Sequence, residues 1–182
     1  MQKPFFYIES ERLKLIPLDY DHLCFYAQPE KLSLILGIRN CLIETGEPFD
    51  EAFNEALENF WKPMTQAHPE QYPWFTNWLI VLKSENATIG GIGLSGLPND
   101  AGETETGYAT DIKYRNRGYM SEALACLCEW VFQQPEVKAI IAHTFPDGLI
   151  SQKTLTNNGF RLIGPEITDD GEVLLWRKTI SE

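Results

Sequence analysis

The sequence predicts a single mixed α/β domain with a large antiparallel part, and two observations support that prediction. Three strand-like segments separated by short polar turns occupy the middle of the chain, which is the pattern of an antiparallel meander. After them the pattern changes to helix, strand, helix and two final strands. This order is typical of a mixed α/β domain and differs from the regular strand–helix alternation of a doubly wound Rossmann fold.

Length and composition fit one folded domain spanning residues 1–182. The chain is 43% hydrophobic and 12% aromatic, which is ample for one core. Its net charge of −11 argues against nucleic-acid binding and is compatible with a cationic small molecule or a basic protein segment as partner. No apolar run is long enough for a signal peptide or a membrane span, so we expect a cytoplasmic protein without a membrane partner. Cysteines and histidines are scattered, so no metal site is expected.

The first third of the chain contains one predicted strand and two predicted helices. Arg12–Leu18 alternates polar and apolar residues as a strand does. Asp19–Ala27 is predicted to be a short helix that is capped by its first residue and interrupted by Pro29. Asp50 can cap a second helix. The apolar stripe of that helix contains Phe53, Leu57, Phe60 and Trp61. The polar segment Lys62–Tyr72 includes two prolines and is predicted to be an exposed loop.

The three strands of the meander are predicted at Trp74–Leu82, Thr88–Leu97 and Glu103–Ile112. An amphipathic helix follows over Tyr119–Gln134. The continuous apolar strand Val137–Thr144 should then be covered on both faces. Asp147 can cap a last helix, which runs to Asn158 and stops at Gly159. The final strands are predicted at Phe160–Ile163 and Val173–Thr179.

The segment with the clearest chemical character is the strand-to-helix turn within Gly107–Ala123. Three basic residues, Lys113, Arg115 and Arg117, precede Gly118 and the start of a helix. The first turn of a helix has N–H groups without partners and a partial positive charge, so phosphates bind there. A glycine also lets a phosphate approach the backbone closely. An ordinary turn with solvated bases remains the alternative, and neither the P-loop pattern nor the dinucleotide pattern is present at this turn.

The same turn resembles the signature [QR]-x-x-G-x-[GA] of the GNAT superfamily of N-acetyltransferases. Arg115 and Gly118 occupy its first and fourth positions, and Met120 replaces the small residue at its end. The longer stretch Tyr114–Ala123 and the preceding Glu105–Tyr108 are similar to the ribosomal-protein N-terminal acetyltransferase branch, the Rim-type branch. The resemblance covers nearly the whole chain.

A second block of that branch, N-x-x-S-x-x-x-L-x-x-x-G-F, is similar to the last predicted helix. Its positions correspond to Gly148, Ser151, Leu155, Gly159 and Phe160. Gly148 therefore replaces the asparagine of the pattern. Many GNAT enzymes use a tyrosine of this helix as the general acid, and Leu155 stands at the matching position, so that tyrosine is missing here.

The resemblance implies a six- to seven-stranded, mostly antiparallel sheet flanked by helices and split near the Glu103–Ile112 strand. It implies acetyl-CoA as the acyl donor, with the pantetheine arm bonded to backbone in the split, the pyrophosphate on the amides from Arg117 to Glu122, and no metal. The cofactor-binding residues are then Tyr108, Thr110, Asp111, Ile112, Arg115, Arg117, Gly118, Tyr119, Met120, Ser121 and Glu122.

The resemblance also implies direct attack of an amine on the thioester carbonyl, which a backbone N–H near Thr110 or Asp111 can polarise. Glu105 leads into the cofactor cleft and is the first candidate for the general base, with a solvated strand carboxylate as the alternative. Asp111 is a weaker candidate, because it can instead shape the turn. Ser151 can hydrogen-bond either the departing thiolate or the helix backbone. His143 ends an apolar strand and is expected to be a packed histidine.

The predicted function is acetyl transfer from acetyl-CoA to a primary amine, which is a protein N-terminus or a small molecule. A homodimer is compatible with this function, and no nucleic-acid partner is expected. Three segments are expected to shape the acceptor groove: Leu32–Trp61, Lys62–Tyr72 and Pro165–Glu172. The alternative is a non-catalytic acyl-CoA-binding domain used for sensing, which the departures at Met120, Gly148 and Leu155 keep open.

Overall fold

The computed structural model describes residues 5–46, 49–169 and 171–180. Within them, eight strands form one sheet: β1 (Ile8–Glu9), β2 (Leu13–Pro17), β3 (Asn77–Leu82), β4 (Ala87–Leu94), β5 (Glu103–Thr110), β6 (Ala139–Thr144), β7 (Arg161–Thr168) and β8 (Gly171–Thr179). Their order across the sheet is β1-β2-β3-β4-β5-β6-β8-β7. β5 and β6 run parallel, and the other neighbouring strands of the described sheet run antiparallel. The predicted fold class is confirmed, with a slightly larger strand count than the resemblance implied.

Helices cover both faces of this sheet. In chain order they are α1 (Tyr20–Cys24), α2 (Pro29–Leu36), α3 (Phe49–Ala56), α4 (Lys62–Ala67), α5 (Tyr119–Phe132) and α6 (Leu149–Asn157). A π-helical turn at Leu57–Trp61 joins α3 to α4, and 3₁₀ turns cover Tyr72–Trp74 and Ile112–Tyr114. Among the described residues, none of these helices combines the length and the apolarity needed to cross a bilayer.

The core consists of two apolar clusters, one on each face of the sheet. On one face, Leu124 and Leu127 of α5 pack with Ile80 of β3. On the other face, Leu23 of α1 and Leu32 of α2 belong to the cluster that includes the alternate β3 residues Leu79 and Val81. All six residues of β3 are buried, because successive side chains point to opposite faces and both faces are covered. The two clusters therefore make β3 the buried centre of the sheet.

The sheet splits along β5, as the resemblance implied. β5 pairs with β6 over Glu103–Glu105, whereas its second half, Thr106–Thr110, pairs with β4. The contact between β5 and β6 thus ends at Glu105, which pairs with Ile141. Beyond that residue the edge of β5 that faces β6 opens into a gap.

Prolines are involved in two departures from the sequence prediction in the N-terminal half. Pro29 lies after the end of α1, as predicted, but it also begins the unpredicted helix α2, which is compatible with proline because the first turn needs no N–H donor. The prediction that Lys62–Tyr72 is a loop was wrong, because this segment contains α4, which continues from α3 through the π-helical turn. In that turn Lys62 N–H bonds to Leu57 O, five residues back. Pro63 has no N–H to donate, and a π turn is one way in which a helix accommodates the missing backbone hydrogen bond.

Helix caps and strand ends were predicted unevenly. Asp19 caps α1 as predicted, accepting a 2.9 Å bond from His22 N–H. Asp50 lies inside α3, which already includes residue 49, so the predicted cap was wrong. The N-cap of α6 is Gly148 without a side-chain bond, so Asp147 does not cap it. The last two strands are longer than predicted, because β7 and β8 pair antiparallel along most of their length.

Candidate active site

The N-terminus of α5 is shaped by two residues in the left-handed backbone region. Gly118, the N-cap, has φ +75°, and Asn116 has φ +61°. Glycine adopts this conformation without steric cost, which explains its position in the turn. Glu122 N–H bonds to Gly118 O at 3.1 Å, so the first intrahelical bond begins there. The preceding first-turn amides, Tyr119 to Ser121, have no carbonyl partner within the helix and are free to bind an anion.

Two predicted cofactor residues hold the loop before α5. The Arg115 guanidinium donates to Thr110 O at 3.2 Å and to Thr45 O at 2.6 Å. The buried carboxylate of Asp111 accepts from Lys113 N–H at 2.8 Å and from Glu44 N–H at 3.0 Å. Both side chains therefore position the turn, and the turn-shaping alternative for Asp111 fits this geometry better than a role as base.

Glu122 has its polar groups occupied by protein partners. Its amide belongs to the helix, and its carboxylate accepts from Ser10 Oγ at 2.7 Å, Arg12 N–H at 2.8 Å and Arg12 Nε at 2.6 Å. Burial works to raise the pKa of Glu122, but these hydrogen bonds and the Arg12 charge outweigh it and lower that pKa. The geometry thus does not support the prediction that Glu122 binds the cofactor, and Glu122 instead fastens α5 to the β1–β2 hairpin.

Exposed positive charge surrounds the α5 N-terminus. Arg117 is exposed, with its guanidinium 5.7 Å from the Tyr114 ring. The Arg12 guanidinium lies 4.6 Å from the Tyr119 ring and donates a long 3.4 Å bond to Arg117 O. The sequence did not identify Arg12 as part of this site, because 100 residues separate it from the basic turn. Lys113 is also exposed, at 3.6 Å from Glu44.

Two other predicted residues of α5 contribute through their amides and packing. Met120 is buried and packs in the core, so only its backbone faces the site. Ser121 Oγ accepts from Asn158 Nδ2 at 2.9 Å, which ties α5 to the end of α6. The predicted amides from Tyr119 to Ser121 therefore sit on a helix end that is fixed from both sides.

The open edge of β5 presents alternate backbone groups to the gap. Asp111 N–H bonds to Ile89 O and Glu105 O accepts from Ser95 N–H, so the odd-numbered residues face β4. The even-numbered residues Tyr108 and Thr110 direct their backbone groups to the opposite side. Ile112 N–H bonds to Glu44 O at 2.9 Å. Of the four predicted backbone contacts, the amides of Asp111 and Ile112 are thus occupied, and Thr110 O accepts from Arg115. The backbone groups of Tyr108 and the N–H of Thr110 remain for a ligand in the gap.

The hydroxyls of Tyr108 and Ser151 meet beside this edge. Tyr108 Oη lies 3.0 Å from Ser151 Oγ and 3.3 Å from Ser151 O at the start of α6. Burial raises the pKa of Tyr108 to about 12, and the hydrogen bond to Ser151 opposes that rise only partly. The phenol therefore stays protonated at neutral pH and can donate a proton. Ser151, which was predicted to hydrogen-bond the thiolate or the helix backbone, thus has Tyr108 as a partner, and the spacing in the sequence did not indicate this contact.

Glu105 belongs to a line of three ionisable residues across the split. Its Oε1 is 2.7 Å from His143 Nδ1, and His143 Nε2 is 3.2 Å from Glu166 Oε2 on β7. Burial alone would lower the pKa of His143, but the bonds and charges of the two carboxylates raise it above its ordinary value. The expectation of a packed histidine was therefore wrong, because the parallel pairing of β5 with β6 sets His143 beside Glu105.

A cavity of about 370 Å³ opens beside Glu105 on the face of the sheet that carries α3. Its aromatic wall consists of Phe53, Phe60 and Trp61. Its floor includes Gly91, Gly93, Gly107 and Ala109. Among the described lining residues, Glu105 is the only carboxylate. Trp61 lines this cavity, and its ring meets that of Phe53 edge-on with 4.7 Å between the ring centroids.

Asn77 is the other polar group of interest on this cavity. It is 4% exposed, and its Nδ2 is buried without a hydrogen-bond partner in the described structure. Its side chain lies over Gly91, where an added Cβ would collide with Asn77 Oδ1. Position 91 therefore requires glycine, because the Asn77 side chain lies too close to its backbone to leave room for a Cβ. Among the described residues, no group of histidine, cysteine and acidic side chains is arranged to hold a metal ion.

Unpaired amides and basic side chains at the N-terminus of α5, beside a cavity lined by the Glu105 carboxylate, are the arrangement expected of a group transferase that uses a phosphate-bearing donor. The profile of the acetyltransferase (GNAT) domain matches residues 12–161. The chain is 32% identical over 156 residues to YjdG of Bacillus subtilis (strain 168), an uncharacterized N-acetyltransferase, covering 85% of this chain and 89% of that protein. The chain therefore belongs to the GNAT acetyltransferase family and is an acetyl-CoA-dependent acyltransferase.

Solved structures share the fold. RimL, a ribosomal L7/L12 α-N-protein acetyltransferase in complex with coenzyme A, has a TM-score of 0.69 at 16% identity, covering 96% of this chain and 98% of that chain. AAC(6')-Ib in complex with paromomycin and acetyl-CoA has a TM-score of 0.64 at 19% identity, covering 94% and 95% respectively. At these identities the likeness establishes the fold and leaves the acceptor open.

Proposed function

We propose that this acetyltransferase acts on a primary amine with an adjacent carbonyl group, as found at the N-terminus of a polypeptide. The observation behind this proposal is that Glu105 and Asn77 line the same apolar cavity, and that the buried Asn77 Nδ2 has no hydrogen-bond partner in the described structure. A buried donor without a partner costs about 1–3 kcal/mol. An acceptor whose amine faces Glu105 and whose carbonyl oxygen accepts from Asn77 removes that cost.

The strand register brings these two groups within reach of one residue. Asn77 pairs with Gly93, and Gly93 pairs with Gly107, so the three form a row across β3, β4 and β5. Neighbouring strands lie about 4.8 Å apart, so the row spans about 10 Å between its outer backbones. Glu105 is two residues before Gly107 and shares its face of β5. In this proposal, the α-amine and the first carbonyl of a peptide lie between Glu105, at the β5 end of the row, and Asn77, at the β3 end.

The donor site in this proposal uses residues from the α5 N-terminus and the open edge of β5. The amides of Gly118, Tyr119, Met120 and Ser121 hold the pyrophosphate of coenzyme A, and Arg117 adds positive charge. The backbone of Tyr108 and Thr110 holds the pantetheine arm, and one of their N–H groups polarises the acyl carbonyl. The bound donor supplies the activated thioester. Tyr108, supported by Ser151, gives the departing sulfur its proton.

The two structural relatives illustrate the acceptor choices. RimL is a protein N-terminal acetyltransferase, and AAC(6')-Ib binds the aminoglycoside paromomycin. Paromomycin is a hydroxyl-rich polycation, and a cavity with aromatic walls and one carboxylate offers few partners for it. The cavity of this chain therefore favours an α-amine on an apolar residue over an aminoglycoside.

The test compares phenylalaninamide with phenethylamine, which share the amine and the ring and differ in the carbonyl group. We expect kcat/KM for phenylalaninamide to be roughly 5- to 150-fold higher, the equivalent of about 1–3 kcal/mol. Asn77→Ala should remove that difference, whereas Glu105→Gln should lower kcat on both amines by about 10²–10⁴-fold without weakening acetyl-CoA binding.

Thiol release from acetyl-CoA measures turnover in each case. Equal rates on the two amines in the native protein would contradict the carbonyl contact. Tight binding of acetyl-CoA without thiol release on either amine, on free peptides or on aminoglycosides would contradict catalysis and favour the sensing alternative.

A further inference from the structure

The line Glu105–His143–Glu166 connects the cavity with solvent. Glu105 lines the cavity, with its side chain 40% exposed. His143 is the least exposed of the three at 24%, and Glu166 on the outermost strand is the most exposed at 48%. Both imidazole nitrogens are engaged, each with a different carboxylate. This arrangement allows a proton to enter the ring at Nδ1 and leave it at Nε2.

We propose that Glu105, His143 and Glu166 form a relay that carries the proton released by the acceptor amine from the cavity to solvent. The proposal rests on the proposed function, because Glu105 must first receive that proton. His143 and Glu166 are positioning residues in this scheme, since they act on the substrate only through Glu105.

The protons of the reaction balance with one proton left for the relay. The acceptor arrives as an ammonium ion and gives one proton to Glu105, which makes its nitrogen nucleophilic. The nitrogen then forms a bond to the acetyl carbon, and the carbon–sulfur bond breaks. The sulfur gains its proton from Tyr108, and the second nitrogen proton, lost as the amide forms, restores the proton of Tyr108. The net products are the amide, free coenzyme A as a thiol, and one proton that must leave Glu105 before the next turnover.

The position of the relay in the sheet explains why it can form. Glu105 is the last residue of β5 that pairs with β6, and its partner there is Ile141. His143 lies two residues further along β6 on the same face, at the mouth of the split. The imidazole then reaches across β8 to Glu166 on β7. An ordinary surface ion pair needs one such contact, whereas this histidine uses both nitrogens to link the cavity with the edge of the sheet.

The charged groups around His143 set the expected pH dependence. Glu105 faces it from β5 and Glu166 from β7, while Arg177 of β8 is engaged by Glu103 at 2.8 Å. The two carboxylates raise the pKa of His143 above about 6.5. Because a protonated imidazole cannot take a proton from Glu105, kcat should fall as the pH drops through that raised pKa. Glu166→Gln removes one of the two carboxylates, so this decline should move to lower pH.

The experiment measures kcat against pH for the native protein, Glu166→Gln, His143→Ala and the control Glu9→Gln. Phenylalaninamide is the acceptor, and both substrates are saturating. Glu9→Gln breaks an ion pair between β1 and Lys83, at the opposite edge of the sheet from the relay, so its pH profile should match that of the native protein. His143→Ala should lower kcat by roughly 10- to 100-fold, at or below the low end of general acid–base effects, because water replaces the relay inefficiently. Added imidazole should restore part of the His143→Ala rate.

Three results separate this proposal from a structural role and from the proposed function. A profile of Glu166→Gln identical to that of the native protein, together with no imidazole rescue of His143→Ala, would overturn the relay while leaving acetyl transfer intact. If His143→Ala does not fold, the exposed Glu166→Gln variant alone decides, and an unmoved profile overturns the relay. Absence of turnover in the native protein on every amine would instead overturn the function on which the relay rests.

Discussion

Replacement of Gly118 by alanine separates the cofactor site from the stability of the fold. Gly118 has φ +75°, and an added Cβ would lie 3.7 Å from the Arg12 guanidinium, which is an ordinary contact. The fold should therefore lose only the cost of a left-handed alanine, about 1–2 kcal/mol. For a chain of this length that lowers Tm by about 2–8 °C. If the alanine relaxes away from this backbone conformation, the amides that follow it change direction. Those amides are the ones proposed to donate hydrogen bonds to the pyrophosphate of coenzyme A.

Gly37 provides a matched control, because it has φ +67° and nothing within 4 Å of an added Cβ. It is exposed like Gly118, but it ends α2 instead of beginning α5. Gly37→Ala should lower Tm by a similar amount and leave acetyl-CoA affinity unchanged. Gly118→Ala should weaken that affinity roughly 10- to 150-fold, the equivalent of one charge-assisted hydrogen bond at about 1.5–3 kcal/mol. Thermal melting and calorimetric titration measure the two quantities, and equal affinity in both variants would refute the assignment of the pyrophosphate to this turn.

Two further predictions concern the proton donor and the attachment of α5. Tyr108→Phe removes the hydroxyl bonded to Ser151, so kcat should fall by roughly 10-fold or more while acetyl-CoA affinity is kept, and an unchanged kcat in steady-state kinetics would exclude Tyr108 as the donor. The lowered pKa of Glu122 means that its contribution to stability is present above its ordinary pKa and is lost as the pH falls through its lowered value. Glu122→Gln should therefore reduce Tm at pH 7 by the equivalent of about 1 kcal/mol or less, and the difference in Tm between native protein and variant should shrink as the pH falls below the ordinary pKa of a glutamate.

The sequence predicted the elements that depend on local pattern and missed those that depend on tertiary context. The helix Tyr119–Phe132 and the strand Ala139–Thr144 follow directly from apolar periodicity and were placed correctly. The helix over Lys62–Ala67 was missed because two nearby prolines indicate a loop, and proline tolerance depends on a π turn that propensity does not encode. The order of the last two strands across the sheet likewise follows from packing, since β8 lies between β6 and β7.

The candidate site shows the same division between local and distant information. Gly118 and the basic turn are contiguous in sequence, so a motif was enough to find them. Arg12 reaches the site from the turn between β1 and β2 and Glu166 from β7, and only the pairing of distant strands places them. His143 was misjudged for this reason, because an apolar strand predicts burial but not which residue stands on the neighbouring strand.

The alternation of side chains along β5 connects these observations to function. Tyr108 points to the face that carries α6, where it meets Ser151, and Glu105 points to the face that carries the cavity. In the proposed mechanism, one strand thus delivers a proton donor for the thiol to one face and a base for the amine to the other, while its open edge lies between them. A one-residue change of register would exchange the two faces and separate each group from its partner. Under this proposal the parallel pairing that ends at Glu105 fixes more than the shape of the split, because it also determines which side of the sheet receives the amine.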